Sequence, residues 1–169
     1  MSQHATSCGC GSPAPQSSIP PVLIRTATPD DAEAIAHLGM SFIGRLATPV
    51  QHDFDELVEV ARRLTLDPKA VVFLVDDDSR AVGMIIGVET SPWFSPQTRM
   101  AVELAWWVDE THRGQGIRLV KKLEAWAKER GIDRVAMSAI ETVGREATAG
   151  PIIERLGYTL AERSFFKGI

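Results

Sequence analysis

The sequence predicts one α/β domain, and three observations support this. The chain has 169 residues, of which 44% are hydrophobic, which is enough for one core and leaves little for a second. Two apolar runs, Ala70 to Val75 and Ala81 to Val88, are separated by a short acidic turn, as in a β-hairpin. Further along, a strand, a glycine turn, a helix and a strand follow in the order of a βαβ unit.

The first half of the chain is predicted to contain a strand and two helices. Val22 to Thr26 is a short strand, and Thr28 caps a helix that Pro29 begins at its first position. Apolar residues continue this helix to Gly39 at helical spacing. A second amphipathic helix follows from Phe54 to Leu64.

The second half is predicted to alternate strands and helices. The strands are Met100 to Val108, Val135 to Ile140, and one or two more between Tyr158 and Lys167. The helices are Gly116 to Arg130, ended by a left-handed Gly131, and a short one around Pro151 to Arg155 that stops at Gly157. The whole domain would then be a mixed central sheet of about six to seven strands flanked by about four helices.

The N-terminal segment differs from the rest in composition. Residues 1–21 contain no Asp, Glu, Lys or Arg and are rich in Ser, Pro, Gly and Ala, which predicts a flexible tail before a domain at 22–169. His4, Cys8 and Cys10 could ligate a soft metal, but the second Cys/His pair of a structural zinc site is missing. We therefore expect no metal.

Charge and hydropathy exclude several partners. A net charge of -4 argues against a nucleic-acid partner, which usually requires a basic excess. No apolar run approaches the roughly 18 residues of a membrane span, and no secretory signal precedes the domain. The expected location is cytoplasmic, with no membrane partner.

The chemistry-bearing motif is a glycine turn between a hydrophobic strand and an amphipathic helix. Its sequence is Arg113-Gly114-Gln115-Gly116-Ile117-Arg118. Glycines allow a ligand to approach the backbone closely, and the free N–H groups at the helix N-terminus, together with the helix dipole, favour a phosphate or pyrophosphate. The turn therefore predicts an anion site.

Two phosphate-binding designs do not fit these residues. A P-loop requires Lys-Ser/Thr after the second glycine, where this chain has Ile117 and Arg118. A dinucleotide fingerprint requires a third glycine at Leu119 and an acid at the end of the next strand, whereas Asp133 precedes that strand.

The turn resembles motif A of the GNAT (Gcn5-related N-acetyltransferase) superfamily, Gln/Arg-x-x-Gly-x-Gly/Ala, with Arg113 and Gly116 in the first two defined positions. The resemblance extends over about residues 22–169 and includes a closing Leu156-Gly157-Tyr158. It implies an acyl-CoA-dependent N-acetyltransferase, with acetyl-CoA as co-substrate, an amine acceptor, no metal, and a splayed strand pair that holds acyl-CoA.

The same resemblance implies where the co-substrate binds. Backbone amides of Gln115 to Arg118 would hold the pyrophosphate, the backbone of Trp106 to Val108 would pair with the pantetheine arm, and an N–H near Trp107 or Val108 would polarise the thioester carbonyl. The cofactor-binding residues are thus Trp107, Val108, Arg113, Gly114, Gln115, Gly116, Ile117 and Arg118.

Glu103 is the candidate catalytic base. Transfer to an amine requires removal of a proton from an ammonium group, and Glu103 is the only charge in the apolar run Ala101 to Val108. Strand alternation predicts that it shares a face with Ala105 and Trp107. Alternatively, Glu103 lies at an exposed strand end or pairs with a basic neighbour.

Three positions depart from the family pattern. Arg118 replaces a Gly or Ala, Ile153 stands where many relatives have a Tyr that protonates the leaving thiolate, and Glu146 stands at a common Asn. Tyr158 falls at an aromatic packing position. An alternative function is therefore a catalytically inactive acyl-CoA-binding sensor or scaffold with the same fold.

The acceptor is predicted to be a small cationic amine. Seven acids and one base, Arg45, lie between Pro29 and Glu59, the region from which family members build much of the acceptor site. A tRNA- or protein-modifying transferase is the alternative. Trp93 and Phe94 are candidates for the acceptor pocket, a homodimer contact or local packing.

Overall fold

The computed structural model describes residues 22–46, 51–78, 80–140, 149–165 and 167. The predicted tail with His4, Cys8 and Cys10 lies outside these residues, and so does Glu146.

The described residues form a five-stranded mixed sheet in the order β1-β2-β3-β4-β5. The strands are β1 (Leu23–Thr26), β2 (Ala70–Asp77), β3 (Arg80–Thr90), β4 (Met100–Val108) and β5 (Arg134–Ala136). Neighbouring strands from β1 to β4 are antiparallel, and β5 is parallel to β4. The predicted hairpin and the predicted β4 are confirmed.

Four α-helices accompany this sheet in the described part of the chain. They are α1 (Ala32–Ile43), α2 (Phe54–Leu66), α3 (Gly116–Glu129) and α4 (Ala149–Arg155). Two 3-10 segments, Pro29–Asp31 and Glu110–Gln115, lead into α1 and α3. Pro29 therefore begins a 3-10 turn rather than the α-helix that the sequence predicts.

Local polar contacts explain where these helices begin and end. The Asp31 carboxylate accepts a hydrogen bond from the Thr28 N–H at 2.7 Å, which fixes the turn before α1. The Asp53 carboxylate accepts from the N–H groups of Asp55 and Glu56, which caps α2. After α3, Gly131 has φ +66°, confirming the predicted left-handed position.

The sheet separates two apolar layers. On one face α1 and α2 pack on residues such as Leu74, Met84 and Ile86. On the other face Leu119 and Leu123 of α3 pack on the opposite side of β2 and β3. These strands are buried on both faces, which explains why their sequences are continuous apolar runs rather than alternating ones.

The sheet has fewer strands than the predicted six to seven. Residues 158–165 and 167 form no strand; Tyr158 is anchored by its side chain, while residues 159–165 are exposed and lie outside the sheet ladder. The strand predicted at Val135 to Ile140 ends at Ala136, because the backbone N–H of Ser138 donates to the Glu103 carboxylate instead of to another strand.

None of the helices in the described part of the chain is long and apolar enough to cross a membrane.

Replacing Gly87 by Ala is expected to destabilise the fold. A Cβ there would lie 2.3 Å from Cδ1 of Leu123, which is fully buried, so α3 or its side chain must shift. We expect a loss of about 1–3 kcal/mol in the free energy of unfolding, measured by urea denaturation.

Gly39→Ala is the matched control, because no atom lies within 4 Å of its added Cβ and the residue is inside α1. It should raise stability by about 0.5–1 kcal/mol. Equal effects of the two substitutions would contradict the packing of α3 on β3.

Candidate active site

The site begins where β4 loses one of its two neighbours. Met100, Ala101 and Val102 pair with β5, but the pairing stops there. On its other side β4 remains paired with β3 as far as Val108. Among the described residues, no strand covers the β5 side of β4 from Glu103 to Val108. This edge therefore presents backbone N–H and C=O groups to a ligand, as expected of a splayed strand pair.

A β-bulge in β4 reverses the predicted orientation of Glu103. Ala105 pairs with Ile86, but Glu103 pairs with Gly87, so Leu104 is an extra residue in the ladder. Gly87 faces Leu123 of α3, and its partner Glu103 shares that face. Ala105 packs on the α1 and α2 side. The prediction that Glu103 shares a face with Ala105 and Trp107 is wrong, because simple alternation fails across a bulge.

Glu103 is buried at the point where β4 and β5 separate. Its relative exposure is 6%, and it is the one buried charged residue in the described part of the chain. The carboxylate accepts a hydrogen bond from the Ser138 N–H at 3.0 Å. Burial raises the pKa of Glu103 to about 7, and the bond from Ser138 offsets part of that rise. Neither alternative from the sequence, an exposed strand end or a basic partner, describes this environment.

The glycine turn forms the start of α3, where the N–H of Gly116 donates to the carbonyl of Arg113. The 3-10 segment runs to Gln115 and the α-helix starts at Gly116. No acidic residue occupies the first turn of α3, and no side chain caps it. The helix dipole and the N–H groups that follow Gly116 therefore suit an anion such as a pyrophosphate.

The absence of a side chain has a different effect at each of the two glycines of the turn. A Cβ at Gly116 would lie 3.0 Å from Cζ2 of Trp106, so Gly116 is required by the packing of an indole ring. No atom lies within 4 Å of a Cβ built on Gly114, which leaves the surface above it open. The Trp106 Nε1 atom, next to Gly116, is buried without a hydrogen-bond partner in the described structure. The open surface above Gly114, rather than this buried donor, leaves room for a ligand.

The arginines of the turn have partners within it. Arg118 Nη1 donates to the Gln115 side chain at 2.6 Å, which holds the guanidinium along the helix N-terminus. Arg113 donates to Glu110 at 3.2 Å, so its charge is partly offset. Ile117 and Gly114 are exposed beside them. Arg118 therefore does not enter the core, although its position commonly carries a small residue.

Sequence reasoning missed two residues that position this site. Arg45, just after α1, lies over the Trp107 ring at 5.7 Å and bonds to Glu110 at 3.0 Å. His112 Nε2 contacts Asp77 at 2.9 Å, which ties the turn to the end of β2. The only signal for Arg45 was that it is the single base in an acidic segment.

Near the C-terminal end of the described chain, two positions bear on whether a side chain can protonate the leaving thiolate. Ile153 is buried, and no hydroxyl replaces a tyrosine there. The Tyr158 hydroxyl donates to the Glu124 carboxylate at 2.9 Å, and burial, followed by this carboxylate, raises the pKa of the tyrosine. Tyr158 also packs on the α3 layer, which agrees with a structural position.

The last two features considered from the sequence are the aromatic pair Trp93 and Phe94 and a possible metal site. Trp93 and Phe94 are exposed and contact each other edge to face, with ring centroids 5.7 Å apart. Within the described ranges, no group of three or more His, Cys, Asp or Glu side chains is arranged to hold a metal ion.

The mixed sheet, its open strand edge and the glycine turn before α3 form one scaffold, and comparison with known proteins identifies its family. The model of the Acetyltransferase (GNAT) family matches residues 33–158. This chain therefore belongs to the GNAT acetyltransferase family. A comparison with curated protein sequences gives no significant match.

Solved structures share this fold at low sequence identity. The aminoglycoside N-acetyltransferase AAC(6')-Iy in complex with CoA superposes with a TM-score of 0.72 at 16% identity, covering 92% of this chain and 98% of that one. A ribosomal-protein-alanine N-acetyltransferase from Brucella melitensis biovar Abortus 2308 gives 0.64 at 22% identity, with 88% and 99% covered. A predicted acetyltransferase with acetyl-CoA from Clostridium acetobutylicum gives 0.65 at 17% identity, with 87% and 96% covered.

Glu103→Gln is expected to change how stability depends on pH. The folded state raises the pKa of Glu103 from 4.5 to about 7, so between these values the folded protein binds more protons than the unfolded chain and stability falls as pH rises. Gln keeps the oxygen that accepts from Ser138 but cannot ionise.

The free energy of unfolding of the variant, relative to the parent, should therefore increase by roughly 3 kcal/mol between pH 4.5 and pH 8, as measured by urea denaturation. A difference that stays constant across this range would show that the Glu103 carboxylate is not desolvated.

Proposed function

We propose that this protein is an N-acetyltransferase that moves an acetyl group from acetyl-CoA to the primary amine of a small cationic molecule. The observation that carries the proposal is the uncovered edge of β4, which starts at the buried Glu103 carboxylate. The 3-10 segment Glu110–Gln115 links this edge to the start of α3, which no side chain caps. One continuous stretch of chain thus offers a base, strand-edge amides and an anion site in order.

The proposed binding of acetyl-CoA uses the backbone more than side chains. The backbone amides of Gln115 to Arg118 are proposed to hold the pyrophosphate, with the Arg118 guanidinium beside them; the N–H of Gly116, which donates to Arg113, does not take part. Arg113 and Gly114 flank this anion site, with Gly114 leaving space above it. The edge of β4 at Trp106 to Val108 pairs with the pantetheine arm as an added strand would.

An N–H of the same edge, at Trp107 or Val108, is proposed to stabilise the charge that develops on the acyl oxygen. Acetyl-CoA supplies an activated thioester carbonyl. A preorganised donor aimed at such an oxygen is worth roughly 3 kcal/mol in well-studied acyl transfers. The β3 ladder fixes this segment of β4, so the donor does not have to reorganise during the reaction.

Glu103 is proposed to remove a proton from the acceptor ammonium group through water, because its carboxylate lies on the α3 side of the sheet whereas the acidic cavity lies at the start of α2. A base whose pKa is about 7 is about half ionised at neutral pH, so it can accept a proton there and hold it. The resulting neutral amine bonds through its nitrogen to the acyl carbon, the carbon–sulfur bond breaks, and the nitrogen loses its second proton to water, while the first proton stays on Glu103. The thiolate leaves as such or takes a proton from water, since thiols have a pKa near 8.5 and Ile153 provides no acid.

The proposed acceptor is cationic because acidic side chains surround the α1 and α2 side. Asp53 and Glu56, together with Gln51 and His52, line an open cavity of about 490 Å³ at the start of α2. Another solved relative by fold is an aminoglycoside acetyltransferase in complex with sisomicin. A polyamine of this kind would be attracted by the same acidic surface.

Glu103→Gln tests the proposal through catalysis. The variant should lose about 10²- to 10³-fold in kcat for an amine acceptor, because general base assistance is absent, while its affinity for acetyl-CoA is retained. In the parent, kcat should rise with pH up to about 7 and then level off, because only the ionised carboxylate accepts a proton. CoA release is measured across pH 5.5–9.

Glu129→Gln, an exposed carboxylate at the end of α3, is the control and should leave the profile unchanged. Two results would contradict the proposal. A Glu103→Gln variant as active as the control would remove Glu103 as the base. Tight binding of acetyl-CoA by the parent with no turnover on a broad amine panel would instead favour the sensor.

A further inference from the structure

A second cavity lies beside this site and is entirely apolar. It has a volume of about 220 Å³ and lies between α1, α2 and the face of the sheet formed by β3 and β4. The described residues that line it are Ala, Gly, Ile, Leu, Met, Phe and Val, so no lining side chain offers a charge or a hydrogen bond. Such a cavity recognises hydrocarbon.

The cavity adjoins the uncovered segment of β4. Its floor includes Leu104 and Ala105, the residues of the β-bulge, immediately after Glu103. Its wall includes Phe42 and Ile43 at the end of α1, and Arg45 just beyond them lies over Trp107. The same turn of chain therefore bounds both the cavity and the proposed thioester position.

We propose that this cavity holds the hydrocarbon chain of an acyl-CoA longer than acetyl, which extends the donor range of the proposed transferase. This inference rests on the proposed use of acyl-CoA. An apolar cavity of about 150 Å³ is enough for benzene, so 220 Å³ accommodates an acyl chain of about six carbons. Leu104 and Val60 leave about half of their surface exposed at its walls, and a bound chain would cover that apolar surface.

The position of the cavity favours the acyl group over the amine as its occupant. The acceptor's ammonium group needs a polar surrounding, and the apolar lining provides none. The acidic residues Asp53 and Glu56 line a different cavity, at the start of α2. The charged amine and the apolar acyl chain would therefore bind in different cavities. The amine suits the cavity at Asp53 and Glu56, and the acyl chain suits the apolar cavity next to the bulge.

Gly39 keeps the apolar cavity open. It lines the cavity from the middle of α1, and no atom lies within 4 Å of a Cβ built on it. A glycine inside a helix is less stable than an alanine there, so packing and helix stability do not explain Gly39. Larger side chains at Gly39 would project into the cavity and fill it.

The test is isothermal titration of the parent, Gly39→Ala and Gly39→Leu with acetyl-CoA, butanoyl-CoA and hexanoyl-CoA. Each buried methylene should tighten binding by about fourfold, so the parent should bind hexanoyl-CoA at least tenfold more tightly than acetyl-CoA. This ratio should fall to about one in Gly39→Leu and lie between in Gly39→Ala. Val60→Phe, from the opposite wall, should lower it as well, and thermal unfolding confirms that each variant is folded.

Three other outcomes would overturn the inference, and they differ in what else they affect. Equal affinities of the parent for all three donors would remove the acyl chain from the cavity but leave the proposed function intact. No binding of any CoA species would remove both. A flat acyl ratio combined with hexylamine binding to the acetyl-CoA complex that Gly39→Leu abolishes would assign the cavity to the acceptor.

Discussion

The separation of β5 from β4 after Val102 is the constraint on which the site depends. A strand within a sheet normally has both edges paired, and a free edge inside a fold must find other partners. Here the Glu103 carboxylate accepts a hydrogen bond from the Ser138 N–H, so a side chain links the two chain segments where the strands separate. Beyond it, β4 is held by β3 alone. The edge is thus rigid on one side and available to a ligand on the other.

The same arrangement explains why ionised Glu103 lowers the stability of the fold. Its carboxylate is buried with one backbone donor, so the charged form is poorly compensated and its pKa rises. A hydrophobic residue there would stabilise the sheet, but it could not accept a proton at neutral pH. Stability is commonly lower at positions that serve chemistry, and a buried carboxyl at the mouth of the open edge fits that pattern.

The sequence predicts most of the fold because each element has a local signal. Asp53 caps α2, Gly131 ends α3, and the apolar runs of β2 and β3 need no tertiary information. The bulge at Leu104 has no such local signal, because it is set by the pairing of β4 with β3. It places Glu103 on the opposite face of the sheet from the one that strand alternation predicts. The partners Ser138 and Arg45 are 35 and 65 residues from Glu103 and Glu110, so only the folded chain brings them together. The sequence also does not show why a glycine is needed at position 116. A side chain there would collide with the Trp106 ring, and the spacing of the motif does not reveal this contact.

The central claim is that an acyl-CoA lies along the open edge of β4 and ends at the start of α3. Amide hydrogen exchange, followed by mass spectrometry with and without CoA, tests it most directly. We expect slower exchange in peptides covering Trp106 to Val108 and Gln115 to Arg118, with little change in α2. Binding of CoA that leaves both peptides unprotected, or that protects another surface instead, would contradict it.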